Sequence, residues 1–529
     1  MAHFFSLKLL LVFFFFFFSS LSSASRQQVI HEACKASHDP PSCEDLFSHS
    51  GNLPPNATAL EVIQFALNLT TINIHKGRVF AQKILTASTG NLNRSNAATI
   101  CLEMLDYSKY RVNKVGPALT RSRKLMKEAR AWMSAALVYQ YDCWSALKYV
   151  NGTLLVAQGM DFINSTLIPG SSSALGMIAN YDFYGDKTGL WHPPLTERDG
   201  FWEHVSRSHG SWSGAIPAGL KEKVTVCRGA GCTYTTVQEA VNASPNNTEP
   251  GKWFVIRIRA GLYEETVRVP LEKKNVVFLG DGMGKTVISG SMNVGQPGMS
   301  TYNSATVGVV GERFMASNLT IKNIAGSNAH QAVAFRSDSD QSVIENCEFI
   351  GNQDTLYAHT LRQYYKSCII QGNVDFIFGN AAAFFQDCLI LVAPRQLIPK
   401  TGGERNVVTA QGRTDPAQST GLVFQNSVIN GTKAYMDLYY KNPNLLQTFL
   451  GRPWKEYSRT VFIRCTLEAL ISKDGWMPWK DDFALQTLYY GEFKNRGPGS
   501  NSLERVPWST QIPKHHVASY SVQNFIQAD

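Results

Sequence analysis

The 529-residue chain has no block of consecutive lysines and arginines, no Cys–His spacing suited to zinc and no aromatic signature of an RNA-binding sheet. Its net charge of +9 therefore does not single out nucleic acid, and an acidic polysaccharide suits that charge equally well. Charged residues are scarce at 17% and hydrophobic residues make up 44%. That balance excludes a disordered chain and supplies a sizeable core, and the length calls for at least two domains. No Gly-x-Ser-x-Gly elbow occurs, so a serine hydrolase has no local support. Gly280-Asp-Gly-Met-Gly is rich in glycine, but no helical pattern follows it, which argues against nucleotide binding. Only one long apolar run is present, residues 9–18, and it is shorter than the roughly 20 residues that span a bilayer.

What is present begins with that run. Lys8 precedes it, and small residues follow through Ala24 and Ser25. A charged start, an apolar centre and a small-residue zone form an export signal, expected over residues 1–25 and cut near Ala24 or Ser25. A retained anchor is the alternative. Asn-X-Ser/Thr sequons start at Asn56, Asn68, Asn93, Asn151, Asn164, Asn246, Asn318 and Asn430. Asn318 falls inside a strand repeat, where burial would keep it unmodified. The ten cysteines of an exported chain point to disulfides. Cys34 and Cys43, then Cys101 and Cys143, lie early; Cys227 and Cys232 form a tight pair; Cys347, Cys368, Cys388 and Cys465 lie late.

Residues 27–180 carry apolar side chains at helical spacing. Val62, Phe65, Ala66, Leu69 and Ile72 mark a first segment, and Ile100, Leu102, Met104 and Leu105 a second. A third covers residues 116–147, and a fourth runs from Leu154 to about Leu167. Four amphipathic segments with short connections predict an all-α four-helix bundle. Residues 181–223 hold Pro193, Pro194 and Pro217, many Gly and Ser, and no sustained period, the pattern of a linker.

From residue 224 to 529 short runs of Val, Ile and Phe alternate with Gly and Asn. Ile344-Glu-Asn-Cys-Glu-Phe, Tyr365-Lys-Ser-Cys-Ile-Ile, Phe385-Gln-Asp-Cys-Leu-Ile, Phe424-Gln-Asn-Ser-Val-Ile and Phe462-Ile-Arg-Cys-Thr-Leu share one template. Cys347, Cys368 and Cys388 are 21 and 20 residues apart, and the next intervals, to Ser427 and Cys465, are 39 and 38. A period near 20 without helical filler predicts an all-β parallel β-helix, one coil per repeat. The long intervals are either coils with insertions or two coils with a degenerate middle, and a β-sandwich is the competing topology. Stacking would bring Cys368 and Cys388 within reach of a disulfide.

The same period organises the polar residues. Asp354 and Asp375 each follow a ladder cysteine by seven positions and lie 21 residues apart. On a β-helix they would occupy adjacent rungs roughly 5 Å apart. Two carboxylates so close do not both ionise freely, so one keeps a proton while the other stays anionic. Gln353, beside Asp354, and Gln331, about one coil earlier, would offer amide donors to an oxyanion. Arg452 would hold one carboxylate ionised through a bidentate pair. The plainer alternative is that both aspartates cap turns. Calcium needs six or more oxygen ligands, and no acidic cluster surrounds the pair, which argues against a calcium site. Phe335, Tyr357, Phe376, Phe378 and Trp454 crowd the region. Most such rings are core, and Trp454, after Arg452-Pro453, is the best candidate for a sugar contact.

Residues 225 to about 510 resemble plant pectin methylesterases. The matching stretches are Gly261-Leu-Tyr-Glu-Glu, Ser300-Thr-Tyr-Asn-Ser-Ala-Thr, Gln331-Ala-Val-Ala, Gly351-Asn-Gln-Asp-Thr-Leu-Tyr, Gly372-Asn-Val-Asp-Phe-Ile-Phe-Gly, Ala410-Gln-Gly-Arg-Thr-Asp-Pro and Leu450-Gly-Arg-Pro-Trp. Residues 27–180 resemble the pectin methylesterase inhibitor domain, whose two disulfides match Cys34/Cys43 and Cys101/Cys143. The resemblance implies a right-handed β-helix and a secreted cell-wall enzyme acting on methyl-esterified pectin. It implies Asp375 as nucleophile, Asp354 as acid and then base, and Gln331 and Gln353 as oxyanion donors. Arg452 would orient Asp375, Thr301 and Trp454 would contact the sugar chain, and no metal or organic cofactor is implied. Inhibitor domains, its own or others, are implied partners; nucleic acid and, after signal removal, membrane are not. The family usually has an aromatic residue at Asn352 and Thr at Asn373, and Lys221-Glu-Lys replaces a dibasic processing site. A regulatory protein acting through its bundle, and a lyase or polygalacturonase on the same scaffold, are the competing readings.

Overall fold

The computed structural model describes residues 26–51, 53–122, 125–203, 205, 216–396 and 403–527. The expected export signal, residues 1–25, lies outside them. The chain forms two compact units, the first running to Leu195 and including Asp415–Gln418, the second comprising Thr196–Thr414 and the chain from Ser419 onward.

The first unit is helical. Thr58 and Glu61 form a capping box that satisfies backbone N–H groups at the start of Ala59–Thr86. That helix buries Val62, Ala66, Leu69, Ile74, Ala81 and Ile84 along one stripe. Leu92–Arg121 and Met126–Lys148 follow, and the Cys101–Cys143 disulfide ties them together. Cys34 is bonded to Cys43. The last helical stretch is longer than its sequence pattern predicts. Leu154–Phe162 passes through a π turn, Ile163–Leu167, into a further helix, Ile168–Tyr184. Pro169 directly follows the π turn, as the second residue of that helix, and offers no backbone N–H there. The run Gly170, Ser171, Ser173 and Gly176 is buried rather than a loop. At Gly176 a side chain is impossible, because a Cβ would lie 2.1 Å from the Ala36 carbonyl oxygen.

The segment read as a linker is partly structured. Trp191 is 3% exposed, and Asn180 binds both the N–H and the carbonyl of His192. In the second unit Glu197 is buried against Arg459 (2.6 Å) and Arg413 and accepts from the Tyr520 hydroxyl. Trp202 stacks on His516 with centroids 4.0 Å apart. Isolated anchors on short turns leave no periodic signal, so the sequence pattern conceals them. Residues 206–215 of that segment lie outside the described residues.

The second unit is an all-parallel coil of three sheets, with eleven, eight and seven strands. From Phe254–Ile258 to Arg459–Ile463 every third strand stacks on the same sheet, which rules out a sandwich. Tyr365, Phe385, Phe424 and Phe462 are in direct register. Their rings stack in the core at centroid distances of 4.8, 4.6 and 4.6 Å. The intervals of 39 and 38 are therefore single coils with insertions. One of these insertions includes the helix Lys433–Lys441.

The repeated phrase has a backbone cause. Asn346, Ser367, Asp387, Asn426, Arg464 and Lys494 all adopt left-handed φ between 49° and 55°. Each turns the chain into the next strand, and the following residue points inward. At that inward position Cys368, Cys388 and Cys465 direct their thiols at the carbonyls of Ile344, Tyr365 and Phe424 (3.6, 3.6 and 3.5 Å). Ser427 does the same to Phe385.

The expected Cys368–Cys388 disulfide is not formed, and both are free buried thiols, as are Cys347 and Cys465. Stacked side chains run parallel about 4.8 Å apart, whereas a disulfide needs converging Cβ atoms about 3.8 Å apart. Burial also pushes the Cys388 thiol well up, so little thiolate is available. Cys227 and Cys232 are bonded. Without reductant, a thiol reagent is expected to find no reactive cysteine in the folded protein and the four free thiols after denaturation. Two thiols after denaturation would restore the disulfide.

Asn318 is exposed, not buried, because it occupies a left-handed turn (φ 58°) between strands.

Candidate active site

Asp354 lies in the turn before strand Leu356–Ala358, and Asp375 on strand Val374–Gly379 one coil later. The pairs Leu356↔Ile377 and Tyr357↔Phe378 fix the register, and the Asp354 N–H donates to the Val374 carbonyl (3.1 Å). Both aspartates hold left-handed backbone, φ 65° and 50°. Asp tolerates that region better than most residues, and such strain concentrates at functional sites. The register to the next strand slips between Val374 and Ile377. A bulge there re-aims the side chains around Asp375 while Phe376 and Ile377 stay in the core.

The two aspartates are 7% and 5% exposed. Arg452, just after strand Leu446–Gly451, forks onto Asp375: Nε donates to Oδ1 at 2.8 Å and Nη2 to Oδ2 at 2.6 Å. Among the described residues, no hydrogen bond reaches the Asp354 carboxyl. Burial raises Asp354 well above the usual carboxylate range, the charge of Asp375 adds to the rise, and Arg452 opposes it. Burial raises Asp375 as well, against the pull of its Arg452 hydrogen bonds and charge. The first negative charge of the pair is thus held on Asp375, and Asp354 keeps its proton longer.

The remaining predicted residues are placed as follows. The Ala332 N–H donates to the Gln353 carbonyl (3.2 Å), so Gln331 and Gln353 come from neighbouring coils. Both are half-buried, and among the described residues neither side-chain amide bonds to the protein. Trp454 is half-buried beside Phe378 and Tyr357, at centroid distances of 5.9 and 6.4 Å, and those two rings stack at 4.1 Å. Gly412 lies under Trp454, where a Cβ would come within 2.7 Å of the indole. Phe335 and Phe376 are fully buried core and line no surface. Thr301 sits in a half-buried turn, and no hydrogen bond links it to the aspartates. Its neighbour Tyr302 is covered by the Arg336 guanidinium, 3.4 Å from the ring centroid.

Two residues near the pair have no counterpart in the sequence reading. Arg395 acts electrostatically on both Asp375 and Arg452. Trp479 is 38% exposed and lies 4.3 Å from the Arg452 guanidinium. Both come from insertions outside the repeat phase; the phrase Trp476-Met-Pro-Trp479 was the available signal for the second. Among the described residues no group of three or more His, Cys, Asp or Glu side chains is arranged to hold a metal.

A buried carboxyl one coil from an arginine-held carboxylate, with two half-buried amides and aromatic rings nearby, can supply acid–base and nucleophilic chemistry on a parallel β-helix. Residues 223–529 match the family model described as Pectinesterase, and residues 28–175 match Plant invertase/pectin methylesterase inhibitor. The chain belongs to the pectinesterase family: it is a carboxylic ester hydrolase of pectin with an inhibitor-type helical domain ahead of the catalytic one. It is 57% identical over 507 residues to Probable pectinesterase/pectinesterase inhibitor 64 of Arabidopsis thaliana, covering 94% of this chain and 84% of that protein. It is 38% identical to Pectinesterase 2 of Citrus sinensis, covering 80% of this chain and 78% of that one. The solved pectin methylesterase from carrot is 44% identical with a TM-score of 0.55, covering 59% of this chain and 95% of that structure. No described helix is long and apolar enough to cross a membrane.

Proposed function

We propose that this enzyme hydrolyses the methyl esters of galacturonate units in cell-wall pectin through an aspartyl nucleophile, releasing methanol and leaving pectate. The observation that carries this reading is the bidentate Arg452–Asp375 pair set one coil from the hydrogen-bond-free, buried Asp354. An Asp375 oxygen attacks the ester carbonyl, and the oxyanion of the tetrahedral intermediate accepts from the Gln331 and Gln353 amides. Collapse breaks the bond to the methoxy oxygen, which takes the Asp354 proton and leaves as methanol. The acyl group is then held as an anhydride on Asp375. Asp354, now a carboxylate, takes a proton from water as that water attacks the acyl carbon. Asp375 is released and Asp354 regains its proton. Trp454 and Thr301 contact the sugar chain, with Tyr357 and Phe378 backing the indole.

The protein is read as secreted. The helical unit acts on the esterase half as inhibitor or folding aid; methanol release measured before and after proteolytic separation of the two parts reads that role, and equal rates would count against inhibition.

Purified protein is expected to release methanol from methyl-esterified pectin without lowering its viscosity. A viscosity drop without methanol would indicate chain cleavage and overturn the reading. In the same assay Gln331→Ala and Gln353→Ala are each expected to lower kcat by about 10²-fold, the usual effect of removing one oxyanion donor.

A further inference from the structure

A short turn ahead of the coil is tied to the aromatic wall of the site. Thr196 and Asp199 close a capping box around Glu197–Asp199, well before the first strand, Val224–Val226. Arg198 donates to the carbonyls of Trp508 and Leu485 (3.3 and 3.4 Å), and the stack of Trp202 on His516 holds the chain beyond the turn. Glu197 is turned inward: its side chain is 6% exposed, and those of Arg459 and Arg413 are 5% and 3% exposed. Its Oε1 accepts from Arg459 Nη1 at 2.6 Å and from the Tyr520 hydroxyl at 2.9 Å. Its Oε2 lies 3.9 Å from Arg413 Nη1. Burial disfavours the charge, but the two guanidiniums outweigh it and hold the carboxyl below the usual range. One carboxylate therefore serves two buried cations.

Those two arginines frame the support of Trp454. The Gln411 side-chain oxygen accepts both of their backbone N–H groups, Arg413 at 3.0 Å and Arg459 at 2.8 Å. Between Gln411 and Arg413 stands Gly412, so close under the Trp454 indole that a Cβ has no room. The Arg413 carbonyl accepts from the Tyr457 N–H (3.0 Å), three residues beyond Trp454 on the same loop. Arg459 Nε donates to the Thr420 carbonyl (2.7 Å). The glycine beneath the indole and the loop that carries the indole are thus both pinned by residues whose guanidiniums end on Glu197. Without that carboxylate, two buried like charges lose the anion between them and repel each other.

We infer that Glu197 is a positioning residue of the esterase, acting through Arg413 and Arg459 to set the Gly412 shelf that holds Trp454 against the sugar chain. The inference rests on the function proposed above, in which Trp454 contacts the substrate. The substrate wall is then completed by a segment that precedes the coil, and a chain trimmed to Val224 binds pectin less well.

The test is a double-mutant cycle on the full chain, read by the kinetics of methanol release from methyl-esterified pectin. Trp454→Ala is expected to raise KM about three- to tenfold, the order of one aromatic contact. Glu197→Gln keeps the shape and removes the charge, and is expected to raise KM by up to the same factor with kcat unchanged. In the Trp454→Ala background it is expected to add nothing. A general loosening of the fold would instead lower the active fraction, and so kcat, and leave KM alone. Glu197→Asp keeps the charge on a side chain one methylene shorter and is expected to recover part of the lost KM. Should Glu197→Gln fail to fold, Glu197→Asp carries the cycle with a smaller shift. A Glu197 variant with wild-type KM, or one that keeps its full effect beside Trp454→Ala, overturns this inference alone. Trp454→Ala with wild-type KM overturns Trp454 as a sugar contact and this inference with it.

Discussion

Asp375→Asn is expected to lower kcat for methanol release by about 10⁴-fold or more, because it removes the nucleophile while keeping its shape. The variant should still fold. Its amide oxygen can accept one of the two hydrogen bonds from Arg452, and the guanidinium keeps its place against Trp479. Stranding a fully buried charge costs about 3–5 kcal/mol, but the Arg452 side chain is 21% exposed, so the loss should fall at or below the lower figure. Steady-state methanol release and a thermal melt on the same sample separate the two effects. A variant within tenfold of wild type would remove Asp375 from the role of nucleophile. Rapid quenching of the wild type, followed by peptide mass analysis, should also find the acyl group on the peptide that contains Asp375. An adduct on the Asp354 peptide would exchange the two roles.

The aspartate pair was legible because its period is that of the core. Phe385, Phe424 and Phe462 repeat once per coil, and whatever shares their phase shares a face. That logic places Asp354 opposite Asp375 without any knowledge of substrate. It does not extend from stacking to bonding. Cys368 and Cys388 share a phase too, but parallel side chains at strand spacing do not converge, and the left-handed turns before them aim both thiols at carbonyls. Arg395 was illegible, and Trp479 marked only by its Trp-rich phrase, for the opposite reason. They come from insertions, where no repeat fixes their position, and they reach the site only after the chain has folded. The helix through Pro169 was hidden because its first turns bury Gly170, Ser171, Ser173 and Ala174, and large apolar residues enter the buried face only from Leu175 onward. Glu197 and Trp202 were hidden because each anchors a turn too short to have a period.

Asp354→Asn should lower kcat by about 10²–10⁴-fold, the usual loss with a general acid–base group, and should stabilise the protein at neutral pH. Burial raises the folded-state pKa of this carboxyl above its ordinary value of 3.8, and no described hydrogen bond is lost on substitution. Below about pH 3.8 the folded and unfolded states both hold the proton, so the stability linked to this group is fully present. Between that pH and the folded pKa the unfolded state releases a proton that the folded state keeps. Stability then falls by about 1.4 kcal/mol per pH unit, until the folded group ionises and the loss is complete. The asparagine variant has no such proton. Its stability advantage should therefore be absent near pH 3 and grow as pH rises toward neutrality. Burial also raises Asp375, but that group is common to both proteins and its contribution largely cancels. The rate profile carries the same signature. Wild-type activity needs Asp375 ionised and Asp354 protonated, so it falls at low pH as Asp375 gains a proton and at high pH as Asp354 loses one. The residual activity of the variant should keep the first fall and lack the second. Melting curves for both proteins from pH 3 to pH 8 decide the matter: parallel curves would mean that Asp354 does not hold its proton, and the acid in the mechanism would have to be sought elsewhere.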